Sequence, residues 1–568
     1  MGDSNSFLKT PRAPGAKKRK GRYFTKGRQL DPQSLVEVRT VLKNQPLHKD
    51  LAIEHLHRLQ DTFGHLKKRH LVALASEMHM ALAEIYEIAT FYHNFKVAES
   101  DEDTPKLTVK VCDSLTCEMA GSAVLAKELA ENFGKEIEIS HGACMGRCDK
   151  APVVRIKDHY VLNATLTKTA DELKAYSSNS IKMASDHTSY QEYKEQGGFA
   201  SLNNLYSGAL SSEEILTKLR DTNHRGLGGA GFPHHLKIQS VLSVPGPRLM
   251  AVNADESEPG TFKDRYYMNN NPYQFLEGML IAAELVEADE IYIFLRDEYS
   301  DTAEILKEAL AQIKIMGLTK NRTIYLRRGA GAYICGEESA MLESLEGKRA
   351  LPRHKPPFPS QVGLFGKPTL INNVETLYWL PEIIVKDPSW YSKSGRHGAT
   401  GYRTFSLSGP VNKPGVYRTP AGITASELIE EFGGGMKEGY IFKAYLPGGA
   451  SGGALPAAMA DIPMDFGTLE PHGCFIGSAA VIVLSDKDNL KDVARNLMRF
   501  FEDESCGQCT PCRAGTEKAL LLMKEDSWDT DLLVELSDVM RDASICGLGQ
   551  AAPNGFMSLL KHFPEELK

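Results

Sequence analysis

Eight of the ten cysteines fall into two sets of four, and this distribution constrains the chain more than any other feature. The C-terminal set is Cys506-x2-Cys509-x2-Cys512, completed much later by Cys546. Three thiolates two residues apart can wrap one face of a cubane while a fourth closes it from elsewhere, which is [4Fe–4S] ligation. Zinc competes, although structural zinc sites usually use two separated Cys/His pairs. The N-terminal set, Cys112-x4-Cys117 and Cys144-x3-Cys148, is paired instead. Two thiolates on each of two irons suit it, a [2Fe–2S] arrangement, with zinc or a lost cluster as the alternatives. The first pair follows a strand pattern and the second precedes one, so these thiols are expected on loops at one edge of a small domain. Cys335 and Cys474 stand alone among glycine and apolar residues and read as buried, inert thiols. Two clusters imply one-electron transfer and a reducing compartment. They also call for a group that converts single electrons into pairs.

At roughly 150 residues per domain, 568 residues make about three to five domains. A charged fraction of 24% is ordinary for a globular chain, and a net charge of −7 argues against polyanion binding as a whole-chain role. No nucleic-acid partner is expected. No apolar stretch reaches the length of a membrane span, and the N-terminus lacks the apolar core of a signal peptide. The expected location is therefore cytoplasmic. Residues 1–30 carry a basic run, Lys17-Lys18-Arg19-Lys20, and read as a flexible tail or an arm for an acidic partner subunit. Residues 31–97 read as helices, opened by Asp31-Pro32 and carried by Leu51, Leu56, Leu59 and then Leu71, Leu74, Met78, Leu82, Ile85, Ile88. Residues 98–177 alternate strand and helix patterns, including a helix over Ala120–Phe133. Residues 178–200 are polar and non-periodic and read as a linker. Residues 201–400 read as an α/β domain, 401–486 as a strand-rich domain, and 487–568 as helices with cysteines in their loops.

Gly226-Leu227-Gly228-Gly229-Ala230-Gly231 matches G-x-G-x-x-G, but a helix pattern precedes it and Phe232-Pro233 follows it. The dinucleotide fingerprint needs a strand before and a helix directly after. A conventional NAD site is therefore disfavoured. What remains is the close approach of backbone N–H groups to a phosphate or a flat ring. Further dense loops are Asn253–Gly260, Gly329–Glu338, and Pro356–Pro359 ahead of Asn372-Asn373. Their carboxylates and amides could hold sugar hydroxyls, and exposed Phe232, Tyr333 and Phe358 could stack on rings.

In order, these motifs, with Glu343-Ser344-Leu345-Glu346-Gly347 and Ser505-Cys506-Gly507-x-Cys509-Thr510-Pro511-Cys512-Arg513, resemble the flavin-bearing, NADH-oxidising subunit of respiratory complex I. Residues 32–176 resemble the thioredoxin-like [2Fe–2S] subunit of the same enzyme, here fused in front. The resemblance implies an α/β multidomain protein: N-terminal helices with a thioredoxin-like [2Fe–2S] domain, a Rossmann-like FMN domain, a ubiquitin-like (SLBB) domain and a helical [4Fe–4S] bundle. It implies FMN contacts from Gly226, Gly228, Lys237, Asn253, Asp255, Glu256, Tyr333, Gly336, Glu337, Asn372 and Asn373. Phe232, Glu258, Glu338 and Phe358 would receive NAD, with Glu258 and Glu338 positioning it; the flavin carries the chemistry, so no protein acid or base is implied. The sequence departs from the family at Leu227, where a second arginine is frequent, and at Ile238, where tryptophan is usual. The fusion, with Cys112-Asp-Ser-Leu-Thr-Cys117-Glu and Cys144-Met-Gly-Arg-Cys148, is similar to the beta subunit of molybdenum or tungsten NAD-dependent formate dehydrogenases. That likeness implies a pterin-metal catalytic subunit as partner. The flavin subunit of NAD-reducing hydrogenases has a similar layout.

Overall fold

The structure, a computed structural model, describes residues 28–100, 107–134, 137–176 and 187–567. The expected basic tail lies almost wholly outside the described residues. Three sheets organise the rest. The first has the order β2-β1-β3-β4, with β1 (Thr108–Cys112), β2 (Glu138–Gly142), β3 (Val153–Ile156) and β4 (His159–Leu162). Strand β2 runs parallel to β1, and β3 and β4 are antiparallel. Val109, Val111, Val154 and Ile156 bury one face against Leu125 and Leu129 of helix Ser122–Phe133. This is the small thioredoxin-like domain.

The helix expected over Ala120–Phe133 starts later, because Gly121 adopts a left-handed φ of +88° and ends a separate short helix, Leu115–Met119. Cys117 therefore sits on a helical turn and not on a loop. The apolar run from Leu71 to Ile88 is likewise two helices, Lys68–Glu77 and Leu82–Phe91, broken where His79 turns left-handed at φ +53°. The N-terminal helices do not stand apart from the α/β domain. Arg327 donates to Glu54 (2.7 Å) and Asp50 (2.6 Å), and the backbone N–H groups of His93 and Asn94 donate to Gly331 and Ala330. These contacts tie the N-terminal helices to the edge strand of the second sheet and to the loop that follows it.

That second sheet is fully parallel: β5 (Arg248–Ala254), β6 (Ala288–Leu295), β7 (Thr323–Arg328) and β8 (Thr369–Asn373), in the order β7-β6-β5-β8. The chain builds outward from β5 to β6 and β7, then crosses to the other side of β5 for β8. A crevice at the carboxyl ends of β5 and β8 is where such sheets take ligands. Of the span expected to be a linker, 178–200, residues 187–200 are described and contribute to this domain. Ser189 and Glu192 form a capping box on helix Tyr190–Glu195, and Tyr193 and Phe199 are buried. The Tyr193 hydroxyl and the Phe199 N–H both donate to the buried Glu277 carboxylate, at 2.5 and 2.8 Å. Two aromatics in a polar stretch carry no periodicity, so only Ser-x-x-Glu marked the helix.

The third sheet is mixed, in the order β10-β9-β13-β11-β12: β9 (Tyr402–Ser408), β10 (Gly415–Pro420), β11 (Phe442–Leu446), β12 (Leu455–Pro456) and β13 (Ala480–Ser485). Its β9–β13 pair is parallel and its flanking pairs are antiparallel. One helical segment, from Ala425 to Phe432, lies between β10 and β11. The C-terminal bundle is built on Leu490–Asp503, Thr510–Leu522, Thr530–Ala543 and Asn554–His562.

Candidate active site and cluster sites

The glycine-rich loop is flanked by helices Ser212–Asp221 and His234–Leu242, and Arg225 pairs with Pro233 across its neck. It is a closed loop and not a strand-to-helix turn, so the sequence argument against a conventional fingerprint holds. It lies over the carboxyl end of β8. A Cβ on Gly228 would stand 3.0 Å from Asn373 Cβ, and the Leu227 N–H donates to Thr376 Oγ1 (2.8 Å).

Asn253 and Asn373 end adjacent parallel strands as register partners. The Asn253 amide donates to the Gly336 carbonyl (2.9 Å), which draws the loop after β7 over the crevice. Asp255 is 3% exposed, and burial pushes its carboxyl up to about 7, against the pull of Arg296 and the Ser257 hydroxyl. The Asn372 amide nitrogen faces His234 Nε2 (3.1 Å), while its Oδ1 is buried without a hydrogen-bond partner among the described residues. A buried orphan acceptor beside a glycine loop suits a ligand with hydrogen-bond donors, as a flavin has.

Several expected contact residues are already committed. The Glu256 carboxylate accepts from the N–H groups of Asp264 (2.6 Å) and Arg265 (2.9 Å) and from the Tyr299 hydroxyl (2.8 Å), capping helix Lys263–Asn270. Its carbonyl accepts from Arg296, which leaves its backbone N–H for a ligand. Asn373 caps helix Val374–Tyr378 and donates to Asp264. Glu337 caps helix Glu338–Leu345 through the N–H groups of Ser339 and Ala340, both at 2.9 Å. Tyr333 is not an exposed stacking ring. Its ring packs 4.9 Å from Phe500, and its hydroxyl donates to Glu258. Phe232 and Phe358 are open, each 52% exposed. Glu338 is gathered with Lys237 (3.5 Å) and Lys355 (2.8 Å) at the same mouth. Burial pushes its carboxyl up, but the two lysines more than offset this and hold it below the usual range.

Both cysteine sets converge. Cys144 and Cys148 lie 3.4 Å apart at Sγ, and Cys117 feels the charge of Cys112, Cys144 and Cys148. All four are nearly inaccessible. Cys144 and Cys148 are walled by Phe262 and hydrogen-bonded by the Gly260 backbone, which follows Glu258-Pro259, while Cys112 and Cys117 pack with Met145 and Val153. Arg296, missed in the sequence, closes this seam. It donates to the carbonyls of Cys144 (2.5 Å) and Glu256 (2.7 Å) and to the Glu298 carboxylate (3.0 Å). In the C-terminal set, Cys509 is the residue before helix Thr510–Leu522, Cys512 lies in its first turn, and Cys546 precedes helix Gly547–Ala551. Cys512 is therefore helical where a loop was expected. The field at Cys512 includes Cys506, Cys509 and Cys546, and that at Cys546 includes Glu337 of the crevice. The Tyr333 N–H donates to Glu504, two residues before Cys506 (2.8 Å). Among the described residues no three His, Cys, Asp or Glu side chains are gathered tightly enough for a single metal ion. Cys335 and Cys474 are buried at 1% exposure each, as expected.

Residues 219–382 match the Nuo51 FMN-binding domain, 38–177 the thioredoxin-like [2Fe–2S] ferredoxin, 404–453 the SLBB domain, and 492–568 the iron–sulfur binding region of NADH-ubiquinone oxidoreductase F. An NADH-quinone oxidoreductase F protein of Rhizobium meliloti is 41% identical over 389 residues, 66% of this chain and 92% of that one. The chain belongs to the NADH-quinone oxidoreductase F family. The F protein of Escherichia coli is 38% identical and again covers 66% of this chain, 88% of its own. A chain of the NAD+-reducing [NiFe]-hydrogenase, in its H2-reduced state, superposes with a TM-score of 0.81 at 28% identity. That superposition covers 91% of this chain and 93% of the other. The protein is thus an NADH-oxidising flavin oxidoreductase subunit, made of the domains that hold FMN, a [2Fe–2S] and a [4Fe–4S] cluster. Among the described residues no helix is long and apolar enough to cross a membrane.

Proposed function

We propose that this chain is the NAD(H)-reacting diaphorase subunit of an NAD-dependent formate dehydrogenase, taking electrons from a pterin-metal catalytic partner and delivering them to NAD+. The supporting observation is the seam around Cys144-Met-Gly-Arg-Cys148, which joins a fused [2Fe–2S] domain to the flavin domain. Arg296 holds this loop, and Arg147 pairs with Asp301 (2.9 Å). This fused segment carries the likeness to formate dehydrogenase beta subunits. The F-family relatives cover only 66% of the chain. The near full-length overlap with the hydrogenase chain favours a second reading, in which the electron source is hydrogen.

FMN, when bound, supplies hydride exchange with the nicotinamide and single-electron exchange with the clusters. The chain's own part is position and electrostatics. Gly226 and Gly228 bring backbone close to the ligand, and Asn253, Asp255 and the free Oδ1 of Asn372 offer it polar contacts. Lys237, Gly336, Tyr333 and the backbone at Glu256, Glu337 and Asn373 complete the crevice. Phe232 and Phe358 offer open rings for the dinucleotide, and Glu258 and Glu338 orient it. Cys506, Cys509, Cys512 and Cys546 hold the cluster that faces the partner; Cys112, Cys117, Cys144 and Cys148 hold the enclosed one.

The test is anaerobic purification of the tagged chain with its native partners, followed by NAD+ reduction with formate and then with hydrogen. Activity with formate alone supports the proposal. Activity with hydrogen alone replaces it by the second reading and leaves the diaphorase assignment standing.

A further inference from the structure

The loop between β11 and β12, Gly448-Gly449-Ala450-Ser451-Gly452-Gly453, belongs to the SLBB domain, yet it ends against Glu258 of the flavin domain. The Ser451 backbone N–H donates to Glu258 Oε1 at 2.7 Å, and the Tyr333 hydroxyl donates to the other oxygen. The carboxylate is therefore held at both ends, at 8% exposure. Gly449 makes this approach possible. It has φ +81°, and a Cβ there would stand 2.7 Å from Glu258 Cγ, 2.8 Å from its Oε1 and 3.1 Å from the Pro259 carbonyl. The loop is fixed from behind as well. The Asn554 side-chain amide, on the first residue of a helix of the C-terminal bundle, donates to the Ser451 carbonyl at 3.0 Å. Ser558 of the same helix accepts from the Ala454 N–H at 2.8 Å.

We propose that this SLBB loop is a wall of the dinucleotide site, with Ser451 and Gly449 as positioning residues that set the Glu258 carboxylate. The inference rests on the reading that Glu258 orients the dinucleotide. It adds that two other domains fix that orientation. A backbone N–H is a strong choice for this role because it cannot change rotamer. A carboxylate held by two donors keeps one geometry when the dinucleotide leaves, so less ordering remains for binding. The line from Asn554 through Ser451 to Glu258 links the bundle that holds Cys506, Cys509, Cys512 and Cys546 to the mouth where the dinucleotide enters.

The test uses the purified holo-complex and steady-state NADH–ferricyanide kinetics, with FMN content and melting temperature measured on every variant. Glu258→Gln tests the underlying reading. Gly449→Ala forces the loop and the carboxylate apart, and Asn554→Ala loosens the loop without touching Glu258. Gly449→Ala is expected to raise KM for NADH about tenfold and Asn554→Ala about threefold, with kcat within about twofold and FMN content unchanged. In a Glu258→Ala background both effects should vanish, since residues acting through one group do not add. If Glu258→Gln leaves KM unaltered, the role of Glu258 itself fails. If Glu258→Gln raises KM while Asn554→Ala has no effect, or if the loop variants add fully to Glu258→Ala, the loop's role is overturned. Should Gly449→Ala lose FMN or fail to fold, the Asn554 cycle alone decides.

Discussion

Cys112, Cys117, Cys144 and Cys148 are each at most 4% exposed, whereas Cys506, Cys509 and Cys546 are only half-buried. Ligand chemistry is the same in the two sets, and the surroundings differ. The first set is enclosed by its own small domain, by Gly260 and Phe262 of the flavin domain, and by a ring of charged contacts centred on Arg296. Its domain also touches the bundle, because Asn496 and Arg499 both donate to the Asp113 carbonyl at 2.9 Å. The second set lies at helix ends whose outer sides are open. The difference teaches that the fused [2Fe–2S] site is part of the seam that holds the domains together. The [4Fe–4S] site is the one a partner subunit can approach.

The largest expected effect comes from breaking that seam. Arg296→Ala leaves the Glu298 carboxylate without its guanidinium partner, although Asn94 still donates to it, and two carbonyls without their donor in a buried setting, a class of change that costs about 3–5 kcal/mol. Melting temperature should drop, and iron analysis should show loss of the N-terminal cluster before the C-terminal one. Next comes Asp255, whose carboxyl burial pushes up to about 7 from an ordinary 3.8. Below pH 4 both folded and unfolded chains are protonated there. Between pH 4 and 7 only the unfolded chain ionises, so this group lowers stability progressively as pH rises, and the loss is complete above 7. Asp255→Asn should therefore stabilise the flavin-free chain, by about 4 kcal/mol at most at pH 7.5 and by less at pH 5.5. Denaturant unfolding at the two pH values checks the sign. Glu338→Gln comes third: KM for NADH should rise about tenfold while FMN content, read by fluorescence after release, stays at the wild-type level. Smallest is Arg513→Ala beside Cys512. Arg513 is exposed and donates to the Gly507 carbonyl and, at 3.4 Å, to Thr510. Its removal should cost less than about 1 kcal/mol and leave the iron content intact, in contrast to Arg296.

Most of the fold was legible because its signals are local. The span 201–400 read as an α/β domain, and its apolar runs Leu249–Val252 and Ile291–Phe294 are buried strands of a parallel sheet. Thiol spacing and the failed fingerprint context were equally local. What escaped was set by tertiary contact. Arg296 follows a strand in an unremarkable Arg-Asp-Glu stretch, and nothing in its neighbours says that it reaches the Cys144 carbonyl from another domain. Glu256 and Asn373 were implied as ligand contacts by the resemblance to the complex I subunit, and their side chains cap helices instead. The residues against Glu258 come from a glycine loop almost 200 positions downstream, at Ser451. Sequence spacing cannot show which backbone N–H meets which carboxylate.

The most direct test of the contrast compares Cys546→Ala with Cys117→Ala in the intact complex, measuring NADH–ferricyanide activity and NAD+ reduction driven by the partner subunit. Cys546→Ala should keep the ferricyanide activity and lower partner-driven NAD+ reduction by about a hundredfold or more. Cys117→Ala should keep both within several-fold, with the [4Fe–4S] electron paramagnetic resonance signal intact. Loss of partner-driven reduction in Cys117→Ala with that signal present, or its survival in Cys546→Ala, would contradict the assignment of the half-buried site as the point where electrons enter from the partner.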